Sequence, residues 1–572
     1  MRCTILGATP LPSAAAVAPV LPARALGAAS TSTSSQLAPA PPRRQVATQC
    51  LAGGLQQPGG SGSWLSSGSR SGGGSQGLRR RQLGGSSRRL LTQQPPPPRA
   101  ADIVGALEAG ADDDGGSPAL SHASASTAWQ LGSPYDKEIF LLAIPALFSV
   151  LLDPIMGMVS TAIVGSTLGT QALAAVGLCT IVFNFSNFVF NFLLYTTTPR
   201  IAAAAARKDS DGVSQIMSQG LWIATTFGLS MSVLLWNRCP AIFAAMGAQP
   251  EVVGPAVAYM RARCIASPAI LMYYVLSGTF RGFKDTKTPL AAGMVGNLIH
   301  LGLILALVFG LGWGVAGVGL ATSLSHWVAL TFLMANVLGR GYVKVGDLLR
   351  PPSWAEVAPM MKNGIFLSTR SLLAMGMLMW ATRLIAGFGA VGLAAHEILR
   401  QIWVFSNQAY TSLDIATQSL VAFHLGKGDR RSAADVFRRT LSLAVFAGVL
   451  IMGGLLAAQT SLPGVFTQDA AVVQQVKLVL PLIAVFMPLD AAASVMDGVL
   501  LGSQEAGWLS KTMAVTAGVC AVGLLASQRL AWPLTTIWFV IKFLAVGRLI
   551  GNAWRLWSRS GPLAGELRKA AA

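Results

Sequence analysis

Four aspartates stand inside long apolar runs of this chain: Asp153, Asp414, Asp490 and Asp497. A carboxylate at the centre of a membrane helix costs roughly 2.5–3.5 kcal/mol on insertion scales, so such a residue is a functional candidate by default. The chemistry it suits is cation or proton coupling, in which loading the acid changes how two access states compare in energy. Asp153 precedes Pro154, whose missing N–H loosens the helix and frees a carbonyl. It is expected to couple ions or touch substrate; the plainer reading is an acid that only serves the kinked backbone. Asp490 and Asp497 are seven residues apart and share a helix face. Two carboxylates side by side cannot both ionise cheaply, which suits a proton site. Asp414 has Gln418 one turn further on.

A second set of polar residues reads as cleft lining. Asn184, Asn187 and Asn191 recur at i, i+3 and i+7, with Tyr195 four residues later, and draw one polar stripe. The stripe either faces Asp153 across a cavity or glues helices together, as polar side chains do in membranes. Gln418 and Glu397 complete the expected cleft, although Arg400 and Gln401 follow Glu397 at i+3 and i+4 and compensate it locally. His300 and His326 read as packing histidines, and Asp285 and Glu505 as loop-fixing acids. No phosphate-binding GxxxxGK[ST] loop, CxxC pair or HExxH motif occurs, and no metal site is expected unless Na⁺ sits at the acids. The chain does not read as an enzyme.

The elements that hold these residues are membrane helices. The chain is 52% hydrophobic and 11% charged, with a mean hydropathy of +0.55. Twelve apolar stretches of near membrane length run from about residue 138 to 553. Shifting the chain by 220 residues superposes Leu173-Ala174-Ala175 on Leu393-Ala394-Ala395, Phe185-Ser186-Asn187 on Phe405-Ser406-Asn407, and Asp209 on Asp429. Pro268, Gly278, Gly282 and Asp285 fall on Pro488, Gly498, Gly502 and Glu505. Internal duplication in an apolar chain marks secondary transporters. The expected fold is an all-α membrane protein: twelve transmembrane helices in two parallel six-helix repeats, an N-lobe (138–350) and a C-lobe (351–555), around a central cleft, with a basic tail over 556–572 and no partner chain.

The net charge of +19 is not a nucleic-acid signal, because residues 1–101 hold eleven Arg and no acid. The remainder of the chain carries 31 basic and 23 acidic residues. An Arg- and Ser-rich, acid-free leader has the composition of an organelle transit peptide. Plastid import is expected, with mitochondrial import the alternative, and 102–137 reads as a linker. The loops between spans 2 and 3, 4 and 5, 6 and 7, and 8 and 9 are basic, Arg281 among them. The positive-inside rule puts these loops and both termini on the stromal side of an inner envelope membrane.

The segment Asp153-Pro154 through Val159-Ser160-Thr161 to Gly165 resembles the first helix of multidrug and toxic compound extrusion (MATE) carriers. Leu393 to Glu397 with Gln401-Ile402-Trp403, Asp414 to Gln418, and Asp497 to Gly502 are similar to helices eight and ten of that family's DinF-like branch, which occurs in plant and algal plastids. The resemblance spans roughly 138–555. It implies an H⁺- or Na⁺-coupled antiporter that extrudes an organic solute (xenobiotic, phenolic, hormone or carboxylate) through an organelle membrane, with no other cofactor. Ser160 stands where the family's Val-Asp-Thr triplet carries an acid, so that role does not pass to Ser160; Asp153, two turns back on the same face, is placed to take it. A lipid-linked oligosaccharide flippase of the same superfamily would want clustered cations. Here Arg261, Arg263, Arg370, Arg383, Arg400, Lys542 and Arg548 look scattered. A channel or a non-transporting scaffold is the rival outside the superfamily.

Overall fold

The computed structural model describes residues 132–569. The expected leader, and the expected linker as far as residue 131, lie outside the described residues. Within them the chain is helical, with no strand. The N-lobe comprises α1 (Asp136–Thr167), α2 (Gly169–Phe188) and α3 (Phe192–Ala206), α4 (Ser210–Ala245), α5 (Pro250–Cys264) and α6 (Ser267–Gly282), α7 (Lys287–Ile304, extended by a π turn over Leu305–Gly310) and α8 (Gly314–Gly339). A short α9 (Val345–Leu349) links to the C-lobe: α10 (Trp354–Ala386), α11 (Gly389–Gly426), α12 (Arg430–Ala457), a short α13 (Leu462–Phe466), α14 (Ala470–Val485) and α15 (Met487–Gly502), α16 (Ala506–Arg529) and α17 (Leu534–Trp557), ending in α18 (Ala564–Lys569). Helix α1 starts inside the expected linker, and the tail adds a helical turn.

Among the described residues, eight helices are long and apolar enough to span a membrane, or nine if the bent pair α14–α15 is one span. The expectation of twelve is not reproduced by this measure. The three remaining segments fall in α4, in the broken pair α5–α6, and in α11, which carries Glu397, Arg400 and Asp414.

The duplication is visible as duplicated packing. Asp209 and Asp429 accept hydrogen bonds from the N–H groups of Gly212 and Ser432 and cap α4 and α12 with the same backbone angles. Gly228 lies against the backbone of Pro268, and Gly448 against Pro488, where any side chain would collide. Gly278 abuts Thr197 as Gly498 abuts Thr417. Those glycines let the broken helix of each lobe nest against its neighbours.

The lobes are joined at the end that carries the basic loops. Pro154 and Pro199 cannot donate to the carbonyls four residues earlier, Val150 and Tyr195. Each freed carbonyl accepts from a glutamine of α11: Gln408 Nε2 to Val150 at 2.9 Å and Gln418 Nε2 to Tyr195 at 2.9 Å. Ser368 Oγ donates to the Val189 carbonyl at 2.6 Å. Arg439 grips Asp136 through Nε and Nη2 at 2.6 and 2.8 Å. At the other end Met158, Val159, Leu393 and Phe405 are exposed.

Candidate functional site

The break in the helix pair α5–α6 brings charge into the N-lobe. At the break, the carbonyls of Ala262 and Arg263 accept from Ser323 Oγ, and that of Cys264 from Ser232 Oγ. Polar neighbours thus satisfy backbone that lipid could not. The carbonyl end of α5 also favours a cation there, and Arg263 supplies it. Its guanidinium lies 4.6 Å from the centre of the Phe183 ring.

Arg263 lines a cavity of about 480 Å³ together with Asp153, Asn184, Asn187, His300 and His326. A neighbouring cavity of about 510 Å³ is lined by Asp153, Asn191, Tyr195, Tyr274, Arg281 and Gln408. Asp153, Tyr274, Asn297 and His326 line both. No hydrogen-bond donor among the described residues reaches the Asp153 carboxylate. Arg263 is the cation whose field acts on it. The carbonyl freed by Pro154 is taken by Gln408, so the kink leaves Asp153 no backbone to serve. Ser160 Oγ is 2.9 Å from His300 Nε2, and His326 Nδ1 is 2.7 Å from the Thr322 carbonyl.

The C-lobe is built differently. Arg370, Arg548 and Asn552 converge on Asp497, the amide at 2.7 Å. Lys542 Nζ donates to Asp490 at 2.7 Å and Trp403 Nε1 at 3.0 Å, with the ammonium 4.6 Å from the Trp403 ring centre. These acids are buried, 3% and 6% exposed. Asp414 is also buried, beside Gly498, yet its Oδ1 has no partner. It feels Asp497, Arg370, Arg548 and Arg281.

A family model described as MatE matches residues 145–306 and 367–526, one stretch in each lobe. The chain belongs to the MATE family. Among similar MATE-like relatives, "Protein DETOXIFICATION 44, chloroplastic" of Arabidopsis thaliana is 30% identical over 442 residues, 74% of this chain and 83% of that one. "DNA damage-inducible protein F" of Escherichia coli is 26% identical, covering 73% of this chain and 93% of its own. Two solved MATE structures share the fold. One, titled as in the bent conformation, has a TM-score of 0.69 at 19% identity, covering 77% of this chain and 98% of that chain. The other, titled as an outward-facing conformation, has 0.67 at 20%, covering 77% and 97%. The chain is therefore a MATE-family efflux transporter, and the non-enzymatic reading agrees with that family.

For a MATE transporter the arrangement divides the expected site residues. Asp153, Asn184, Asn187, Asn191 and Tyr195 come together around the N-lobe cavities, although the stripe is not on one helix: α2 ends at Phe188 and α3 begins at Phe192. Gln418 is fully buried and its amide is spent on the Tyr195 carbonyl, so it ties the lobes together. Glu397 is exposed and held by Arg400 at 2.8 Å and Gln401 at 3.0 Å. Asp490 and Asp497 do not confront one another as bare acids, since each has its own cation. Two of the seven intramembrane cations that look scattered in sequence come together: Arg370 and Arg548 meet at one carboxylate. Arg281, read as a loop charge, sits in the last turn of α6 and lines a cavity. His300 and His326 line the first cavity, where packing histidines were expected. Polar residues one turn earlier, Asn297 before His300 and Thr322 before His326, were the available hint, and the break near Pro268 was the hint for Arg263.

Proposed function

We propose that this chain is a proton-coupled secondary carrier that moves a small organic solute through a chloroplast membrane, the inner envelope, by alternating access of its two lobes. The observation that carries the reading is the division of the four intramembrane acids. Asp490 and Asp497 have fixed cationic partners, whereas Asp153 and Asp414 have no hydrogen-bond donor among the described residues. A buried carboxylate without partners, as Asp414 is, is costly as an anion, so a proton is the natural means of neutralising it, and Asp153 opens onto cavities through which a proton can reach it. Na⁺ is the weaker alternative, because it wants several converging oxygens and Arg370 and Arg548 occupy the space around Asp497. The freed carbonyls of Val150 and Tyr195, together with the Asp136–Arg439 pair, close one end. Their release would let the lobes rock and open it. The inner envelope, stromal termini and plastid import rest on the leader and the loop charges, and the chloroplastic relatives support the organelle.

The test is solute uptake by purified full-length protein in vesicles under an imposed pH gradient or an imposed Na⁺ gradient. Saturable uptake that follows the pH gradient, and is lost in Asp153→Asn and Asp414→Asn, is expected. Uptake that follows Na⁺ alone, or survives both substitutions, contradicts the reading. The sign of uptake with an acidic lumen tells exchange from co-transport.

A further inference from the structure

We infer that the basic end of the N-lobe holds a site for the headgroup of an anionic membrane lipid, a phosphodiester or a sulfonate. The site is separate from the cavities around Asp153 and does not depend on the carrier reading.

It is a third cavity, of about 480 Å³, at the boundary where α6 ends, α7 begins and α8 ends. Lys284, Lys287 and Arg340 line it with one acid, Asp285. That acid is already committed. It accepts from the Thr288 N–H at 2.9 Å, the Thr288 hydroxyl at 2.6 Å and Arg340 Nη1 at 2.9 Å. Arg340 Nη2 donates to Thr288 Oγ1 at 3.1 Å, which fixes the guanidinium at the cavity wall. Lys284 has a loose partner, Glu138 at 3.4 Å. Lys287 is exposed and has no acceptor among the described residues. With Glu138 counted, one positive charge is left over, the complement of a single phosphodiester or sulfonate.

The internal duplication separates the charges that the turn needs from those that it does not. In both copies the acid of the turn finds an arginine: Asp285 pairs with Arg340, and Glu505 with Arg555 at 2.6 Å. Lys284 and Gln504, which correspond under the 220-residue shift, hold the same φ of 61°. That is the left-handed region, uncommon for a residue with a side chain, so the two turns are built alike. Yet Gln504 and Gly507 stand where Lys284 and Lys287 would be. The turn forms without lysines, and the two lysines of the N-lobe are an addition that lines a cavity.

Apolar surface beside the cavity favours a lipid over a free anion. Leu141 of α1 lines the same cavity and is 50% exposed. Leu141, Ile144 and Phe148, at i, i+3 and i+7, are all exposed and run as a stripe from the cavity along the membrane span of α1. Helix α7, packed against α1, exposes Met294 and Leu298 one turn apart. A headgroup seated among the lysines lays its acyl chain along such a surface, and basic pockets between membrane helices hold anionic lipids in this way. Free phosphate gains nothing from the stripe.

The test titrates purified full-length protein in detergent with phosphatidylglycerol and with phosphatidylcholine of identical acyl chains, and counts bound lipid by native mass spectrometry. Glycerol 3-phosphate, offered as a competitor at the lipid's own concentration, is the arm without acyl chains. Saturable binding of phosphatidylglycerol is expected, with no equivalent binding of phosphatidylcholine and no displacement by glycerol 3-phosphate. Lys287→Gln should weaken phosphatidylglycerol by about fivefold, and the double variant Lys284→Gln, Lys287→Gln by about 25-fold, the effect of one and two cations near an anionic headgroup. Both variants should keep the lipid-free Tm of the parent, since the other copy of the turn already carries Gln504. Lys344→Gln removes an exposed charge at the same end but outside the cavity, and should leave binding unchanged. Equal binding of the two lipids, phosphatidylglycerol binding indifferent to both lysine variants, or its displacement by glycerol 3-phosphate overturns the proposal.

Discussion

The two lobes share one packing plan and differ in what they do with charge. Gly228 on Pro268 and Gly448 on Pro488 are the same contact made twice, and Asp209 and Asp429 are the same cap. Yet Asp153 of the N-lobe faces a cavity with no donor on its carboxylate, while Asp490 and Asp497 of the C-lobe are locked to Lys542, Arg370 and Arg548. A duplicated frame thus separates two tasks. One copy leaves an ionisable group open to a cavity; the other uses the same residue types to hold its helices. Asp414 is the exception in the C-lobe: buried, unpartnered, and beside the interface.

The contrast can be broken most directly at Asp497. Asp497→Asn leaves two half-buried guanidiniums without their buried carboxylate, and loss of one partner of a buried pair costs about 3–5 kcal/mol. Denaturant unfolding in detergent should register it, and a change under 1 kcal/mol, roughly a surface-pair effect, would erase the lobe contrast. The glutamine ties come next. Gln418→Ala leaves the Tyr195 carbonyl without its donor, an effect of about 1–3 kcal/mol, and should raise the rate at which cysteines placed on either side of the joined end become accessible to a thiol reagent. Asp153→Asn removes no partner, so its stability should change by less than about 1 kcal/mol, even as proton-coupled uptake is lost. Smallest is the loop pair of Asp285 with Arg340. Burial opposes ionisation of Asp285, but hydrogen bonds from Thr288 and Arg340 outweigh it and hold the carboxyl below the usual range. A lowered value means that this contribution is present above pH ~4 and fades as pH falls through the depressed value. Arg340→Gln should remove about 0–1 kcal/mol at neutral pH, and the difference from the parent should vanish in acid melts.

Much of the frame was legible because it is local or repeated. Apolar run length marked the helices, and the shared Pro and Gly positions marked the breaks. Asp153 was legible for the same reason, being one acid in one long apolar run. Partners distant in sequence were not. Arg370 and Arg548 lie 127 and 51 residues from Asp497, and neither helix alone says that they meet. Arg281 was hidden because α6 runs on to Gly282, past the expected end of its span. Gln408 and Gln418 were unreadable for a subtler reason: their acceptors are carbonyls set free by Pro154 and Pro199 on other helices.

The central claim is that Asp153 and Asp414 change protonation while Asp490 and Asp497 do not. Infrared difference spectra of the purified protein across a pH titration read protonated carboxyl groups directly. The expected result is a carboxyl band that comes and goes with pH, diminished in Asp153→Asn and in Asp414→Asn, and untouched in Asp490→Asn and Asp497→Asn. A band that persists in the first two variants and disappears in either of the last two contradicts it.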